Sequence, residues 1–253
     1  LPAGCTLLNG LSGFAAVHFA AKGSLGVALD TPGALVNLKT AALLIFLAMI
    51  FDMLDGRLAR MTRTTSDFGA QLDSLCDVIS FGVAPAVLIL RSTVSILRSQ
   101  FDYIAVERIV WCLAGLYVLC AALRLARFNV ETDVDESAHM DFHGLPSPAA
   151  AACLASMVLL FTDLMDKNWE WLTPKMLRLG MSFTLPVLAM IAGLLMVTRF
   201  RYPHLINHYI RGRKPFGYLV RLVIIVLAMF LEPFITLTIV TTVYVFSGPF
   251  RAF

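Results

Sequence analysis

Apolar stretches of bilayer-crossing length recur along this chain, and few folds accommodate them. They run approximately over residues 7–22, 38–57, 68–90, 104–123, 147–164 and 176–198, with a longer one over 216–247. A spanning helix needs roughly 20 predominantly apolar residues, because its backbone polar groups find no water in the hydrocarbon core. With 58% hydrophobic and 15% charged residues, against about 25% charged in soluble domains, the 253 residues have room for such helices, short loops and little else. The expected fold is all-α: one polytopic helical membrane domain over residues 1–253.

As a single helix the last stretch would be about 48 Å long, well beyond a hydrocarbon core of roughly 30 Å. Glu232-Pro233 lies near its middle, where proline interrupts a helix and glutamate is costly in lipid. Two short spans joined there give eight helices; a long tilted last helix gives seven. With the N-terminus inside, one side of the membrane collects Arg57, Arg60, Arg63, Arg124, Arg127, Arg199, Arg201, Arg211, Arg213, Lys214, Arg221 and Arg251. The other has Lys22, Lys39, Arg91, Arg98, Arg108, Lys167, Lys175 and Arg178, so the first side is read as cytoplasmic. The Arg-rich loop over 199–214 either anchors topology or binds anionic headgroups. The chain starts at Leu1, so its native start is expected upstream. Residues 6–21 lack a basic n-region and a clear cleavage site, which favours a retained first span.

A net charge of +3 gives no nucleic-acid footprint, and the five cysteines form no C-x-x-C pair, so neither a zinc site nor a disulfide framework is indicated. His204 and His208 are four apart but lack an acidic third ligand. Trp169 and Trp171 suit an exterior aromatic belt. The acidic stretch over 131–136 reads as a solvated connection.

The chemistry concentrates in FDMLDGRLARMTRTTSDFGAQLDSLCDVISFG, residues 51–82, which puts four aspartates into two apolar helices. Each costs about 2.5–3.5 kcal/mol at membrane depth even on the lenient scale, and such groups normally mark function. Asp52, Asp55, Gly56 and Ala59 follow i, i+3, i+4, i+7, and Gly69, Asp73 and Asp77 follow i, i+4, i+8, so each set shares a helix face. If 60–66 turns the chain back, the faces meet in a four-carboxylate pocket. Hard oxygen ligands suit Mg²⁺ or Mn²⁺, and four carboxylates have room for two ions. Small residues in register with the charges read as the floor of a site, open to a ligand. Arg60 could pair with a phosphate or close the helix at the interface.

Residues 52–77 spell D-x2-D-G-x2-A-R-x8-G-x3-D-x3-D. This resembles the signature of the CDP-alcohol phosphotransferase family. The resemblance implies that Asp52, Asp55 and Asp73 are metal ligands and that Asp77 is the general base, sometimes also a ligand. Gly56, Ala59, Arg60 and Gly69, with Thr6 of the matching amino-terminal ThrLeuLeuAsn, would lie along the CDP-lipid. Ala3 stands where the family usually has asparagine. The implied reaction is attack by an alcohol on the lipid-linked phosphate of a CDP-activated lipid, with CMP leaving.

The stretches at 67–86, 123–129 (LRLARFN), 142–151 (FHGLPSPAAA) and 244–249 (YVFSGP) resemble the family's phosphatidylserine synthase branch. That implies CDP-diacylglycerol as donor, L-serine as acceptor, a homodimer among membrane lipids, and an inner-membrane enzyme whose site faces the cytoplasm. Serine presents a carboxylate, an ammonium and a hydroxyl, and Ser80, Arg124, Arg127 and Asn129 are the candidates to meet them. Glycerol 3-phosphate or an inositol phosphate is the rival acceptor. A divalent-cation transporter is the rival class, disfavoured because the two helices become wholly apolar away from the aspartates.

Overall fold

The computed structural model of the chain describes residues 2–23, 32–62, 67–97, 103–134, 144–167, 173–200, 202 and 216–252. Their regular structure is helical throughout: α1 Pro2–Gly23, α2 Pro32–Thr62, α3 Asp67–Asp77, a π-helical segment Val78–Val83, α4 Ala84–Leu97, α5 Tyr103–Val134, α6 Ser147–Lys167, α7 Pro174–Val197, α8 Phe216–Leu231 and α9 Pro233–Ala252. Among the described residues, six helical stretches are long and apolar enough to cross a membrane. The chain is an integral membrane protein.

The order α3, π segment, α4 makes one rod from 67 to 97. Within it the Ala84 N–H donates to the Ile79 carbonyl five residues back, and the wider turn leaves carbonyls to be satisfied from outside. Tyr117, fully buried on α5, donates its hydroxyl to the Phe81 carbonyl at 2.9 Å. The extra residue rotates α4 relative to α3, so the aspartate face of α3 need not continue along α4.

Small side chains hold the bundle together. Ala16 and Ala20 of α1, Ala41, Ala42 and Ala48 of α2 and Ala150, Ala151 and Ala155 of α6 are buried, letting backbones approach closely where lipid supplies no hydrophobic drive between helices. Hydroxyls add cross-links: Thr238 of α9 donates to the Ser156 carbonyl at 2.9 Å, and Thr241 lies 2.9 Å from the Ser156 hydroxyl. Lys167 at the end of α6 pairs with Asp163 at 3.1 Å and Glu232 at 2.5 Å. Large apolar side chains such as Phe14, Trp111, Phe183 and Phe230 cover the exposed outer surface.

The break expected at Glu232-Pro233 is present, as the single residue separating α8 from α9. Several helices run longer than their apolar stretches. α2 continues to Thr62, and α5 to Val134, so the acidic stretch expected to be a solvated connection is helical over its first four residues. His139, His143, His204, His208, Trp169, Trp171 and most of the Arg-rich loop lie outside the described residues.

Candidate active site

α2 and α3 both pack on α1 and bring three aspartates together at one end of the bundle. Oxygens of Asp52, Asp73 and Asp77 all lie within 4.8 Å of one another. At that separation two carboxylates repel by roughly 3.5 kcal/mol at an effective dielectric of about 20, or about 10 kcal/mol for three pairs. This is comparable to the whole stability of an ordinary domain, about 5–15 kcal/mol. The group therefore calls for a cation or protons. Its oxygens suit a hard divalent ion, and Asp73 Oδ1 is buried with no hydrogen-bond partner among the described residues, as an unused ligand atom would be.

Asp55 stands apart from this trio. It is 7% exposed, accepts a hydrogen bond from the Thr6 hydroxyl of α1, and remains within electrostatic reach of Asp52 and Asp73. Asp77 accepts a 2.9 Å hydrogen bond from Asn9 Nδ2, three residues along α1 from Thr6. One strip of α1 thus holds two carboxylates: Thr6, Asn9, Gly10 and Gly13 follow i, i+3, i+4, i+7. The glycines allow the approach. A Cβ on Gly10 would lie 2.9 Å from Cys76 Sγ, and one on Gly13 would lie 2.7 Å from the Ser80 Cα.

The remaining expected site residues divide. Gly56 is exposed, and a Cβ there would meet nothing within 4 Å, so the surface beside Asp52 and Asp55 is open to a ligand. Gly69 is half-buried on α3. The side chains of Ala59 and Arg60 lie outside the described residues. Ser80 is fully buried and donates its hydroxyl to the Asn9 carbonyl at 2.9 Å; it packs α1 on the π segment and is closed to an acceptor. Asn129 is tied to Ser74 of α3, its Nδ2 donating at 2.9 Å. Arg127, half-buried, lies one turn from Arg124 on α5.

Arg124 is within electrostatic reach of Asp77 and Asp52. Its Nη1 donates to Ser147 Oγ at 2.6 Å, and no carboxylate lies within ion-pair distance of it among the described residues. Ser147 is placed by the turn before α6. Gly144, at φ +89°, donates to the Phe200 carbonyl, and Leu145 donates to that of Leu195.

Sequence reasoning gave no role to Asn9 or Ser147. Asn9 is a buried polar residue in an apolar helix, which is itself a signal. Nothing in the sequence, however, says which partner it meets.

The chain is similar in sequence to known proteins. The chain is 37% identical over 166 residues to a CDP-diacylglycerol--serine O-phosphatidyltransferase of Helicobacter pylori, covering 65% of this chain and 60% of that protein. It is 37% identical over 171 residues to a protein of the same name from Methanocaldococcus jannaschii, covering 68% and 67%. It is 42% identical over 142 residues to an archaetidylserine synthase of Methanothermobacter thermautotrophicus, covering 55% and 54%. The chain thus spans about 60% of the length of the Helicobacter relatives it matches. The sequence profile of the CDP-alcohol phosphatidyltransferases runs over residues 1–198, which takes in α1 through α7 and every carboxylate of the site. By that match the chain belongs to the CDP-alcohol phosphatidyltransferase family.

Proposed function

We propose that the chain transfers the phosphatidyl group of CDP-diacylglycerol to the hydroxyl of L-serine, giving phosphatidylserine and CMP. The observation that carries this reading is the convergence of Asp52, Asp73 and Asp77 from two helices at one end of a membrane bundle. The relatives named for the same transfer to serine support the acceptor.

Asp52, Asp55 and Asp73, with Asp77, would hold Mg²⁺ or Mn²⁺, as two ions. A bound divalent ion would neutralise the donor's diphosphate and align it for in-line displacement. The open surface at Gly56, with Ala59, Arg60 and Gly69, receives the CDP moiety, while the acyl chains stay in lipid. Asn9 holds Asp77 toward the incoming hydroxyl. The serine oxygen forms a bond to the phosphorus that carries diacylglycerol, its proton passes to Asp77, and the bond from that phosphorus to the CMP oxygen breaks. Thr6 acts in this scheme by steadying Asp55 rather than by touching the donor. Arg124, with Arg127, supplies the cation that a free amino acid requires.

The same reading has eight crossings. α1 is antiparallel to α2, with Thr6 beside Asp55 and Gly23 beside Leu38, so it traverses the bundle. Tyr202 bonds the Val245 carbonyl near the site end of α9, whereas Glu232 meets Lys167 at the far end of α6. The chain must climb that height between 202 and 232, and the 16 residues of α8, about 24 Å long, carry it. With the N-terminus inside, the sequence count gives the side that carries the aspartates more Lys and Arg, and that side is read as facing the cytoplasm of a cell's inner membrane. A homodimer belongs to this reading as well.

The test is CMP release by purified chain in lipid with CDP-diacylglycerol and Mn²⁺ or Mg²⁺. L-serine, glycerol 3-phosphate, inositol 1-phosphate and no acceptor are compared, with Asp77→Asn alongside. Release that requires serine and disappears in Asp77→Asn is expected. Release driven by a phosphorylated acceptor overturns the serine assignment, and silence with every acceptor overturns the transfer itself.

A further inference from the structure

Helix α9 lies wholly beyond residues 1–198, the part of the chain that the family profile matches, yet its register returns one side chain to the site. Thr238 and Thr241 bond Ser156, and Thr242 contacts Cys153, so α9 runs antiparallel to α6 and its later turns come level with Ser147. Tyr202 fastens that end: its hydroxyl donates to the Val245 carbonyl at 3.0 Å, and a Cβ on Gly248 would sit 2.4 Å from its ring. Tyr244 is one turn beyond Thr241, on the same inward face. Its ring packs on that of Tyr202, with centroids 5.8 Å apart. The Tyr244 hydroxyl makes no hydrogen bond within the described residues, and the side chain is within electrostatic reach of Arg124.

Arg124 poses the question that Tyr244 answers. It is part-buried, held by Ser147, and lacks a carboxylate partner among the described residues. An unpaired guanidinium in such a place is costly, and its planar fork is shaped for a carboxylate or a phosphate. Asp77 is within electrostatic reach of it. An acceptor whose anion rests on Arg124 is thereby brought to the side of the site that holds the base. L-serine, with carboxylate and hydroxymethyl group on one carbon, is such an acceptor.

We propose that Tyr244 and Arg124 together bind the carboxylate of the amino-acid acceptor, the guanidinium supplying charge and the phenol a hydrogen bond, so that the C-terminal helix selects an amino acid over a neutral alcohol. This rests on the serine reading above. The other anion that could use the pair is the donor's diphosphate, and the experiment separates the two.

Tyr244→Phe keeps the ring on Tyr202 and removes only the hydroxyl. With the full chain in lipid, KM for L-serine, KM for CDP-diacylglycerol and CMP release with serinol, which lacks the carboxylate, are measured for parent and variant. A hydrogen bond to a charged group predicts a rise in KM for L-serine of about tenfold or more, with the donor KM and the serinol rate unchanged. An unchanged serine KM in a serine-active parent overturns the proposal. A rise in donor KM instead assigns the anion to the diphosphate and overturns the proposal, as does an equal loss with serinol. A parent that ignores serine but turns over glycerol 3-phosphate overturns the acceptor reading and this proposal with it.

Discussion

Replacing Gly13 by alanine should disable the site from one turn further along the same face of α1. Its Cβ would lie 2.4 Å from Ser80 Oγ, 3.0 Å from Cβ and 2.7 Å from Cα. Carbon atoms rest comfortably at about 3.5–4.0 Å, so α1 must retreat from the π segment by roughly 1 Å. The hydroxyl can turn away, but the Cα cannot. Asn9, one turn back on the same face, retreats too, and its 2.9 Å hydrogen bond to Asp77 stretches out of range. Losing a bond to a charged group costs about 1.5–3 kcal/mol, and overpacking adds about 1–3 kcal/mol. A misplacement of this size at a reacting group lowers the rate on the order of a hundredfold. The assay is kcat for CMP release together with thermal unfolding, for Gly13→Ala, Ser80→Ala and the pair. Ser80→Ala removes the hydroxyl and leaves Cα and Cβ in place, so the double variant should stay as slow as Gly13→Ala. Parental kcat in Gly13→Ala, or recovery in the double variant, would refute the reasoning.

Two other glycines should behave differently from it and from each other. Gly56→Ala places a methyl group in open space inside a helix, so thermal stability should hold or rise, by up to about 1 kcal/mol, while KM for CDP-diacylglycerol increases; an unchanged donor KM would remove Gly56 from the donor surface. Gly144→Ala combines a left-handed φ of +89° with a Cβ 2.4 Å from the Met196 carbonyl, so it should lower the unfolding temperature by the equivalent of about 2 kcal/mol or more. It should also raise KM for L-serine through the displaced Ser147, both readable in one preparation.

Much of this protein is legible in its sequence because membrane folding narrows the choices. Apolar length gives the helices, Glu232-Pro233 gives the break between α8 and α9, and aspartates at helical spacing identify a face that must meet something charged. What the sequence does not carry is how helices are rotated against one another. Ser80 reads as a polar residue one turn after Asp77, but the π segment turns it into the contact with α1, where it serves Asn9 and not an acceptor. Asn9 and Thr6 read as isolated polar residues, since their partners lie 68 and 49 positions away. Four aspartates read as one pocket, but their spacing does not tell that oxygens of three converge while Asp55, within electrostatic reach of Asp52 and Asp73, takes a hydrogen bond from Thr6. Helix ends are similarly blurred: α5 continues to Val134 past its apolar stretch, through residues whose polarity suggested a loop.

The account depends most on Asp52, Asp73 and Asp77 acting as one divalent-cation site. Its most direct test is a Mn²⁺ titration followed by electron paramagnetic resonance, using the full chain in lipid with CDP-diacylglycerol. The parent is compared with Asp52→Asn, Asp73→Asn and, as a control at the far end of the bundle, Asp163→Asn. The account predicts saturable Mn²⁺ binding in the parent and in Asp163→Asn, weakened at least tenfold, about 1.4 kcal/mol, in each of the two site variants. A parent that leaves Mn²⁺ free in solution, or an Asp73→Asn variant that binds it as the parent does, would contradict it.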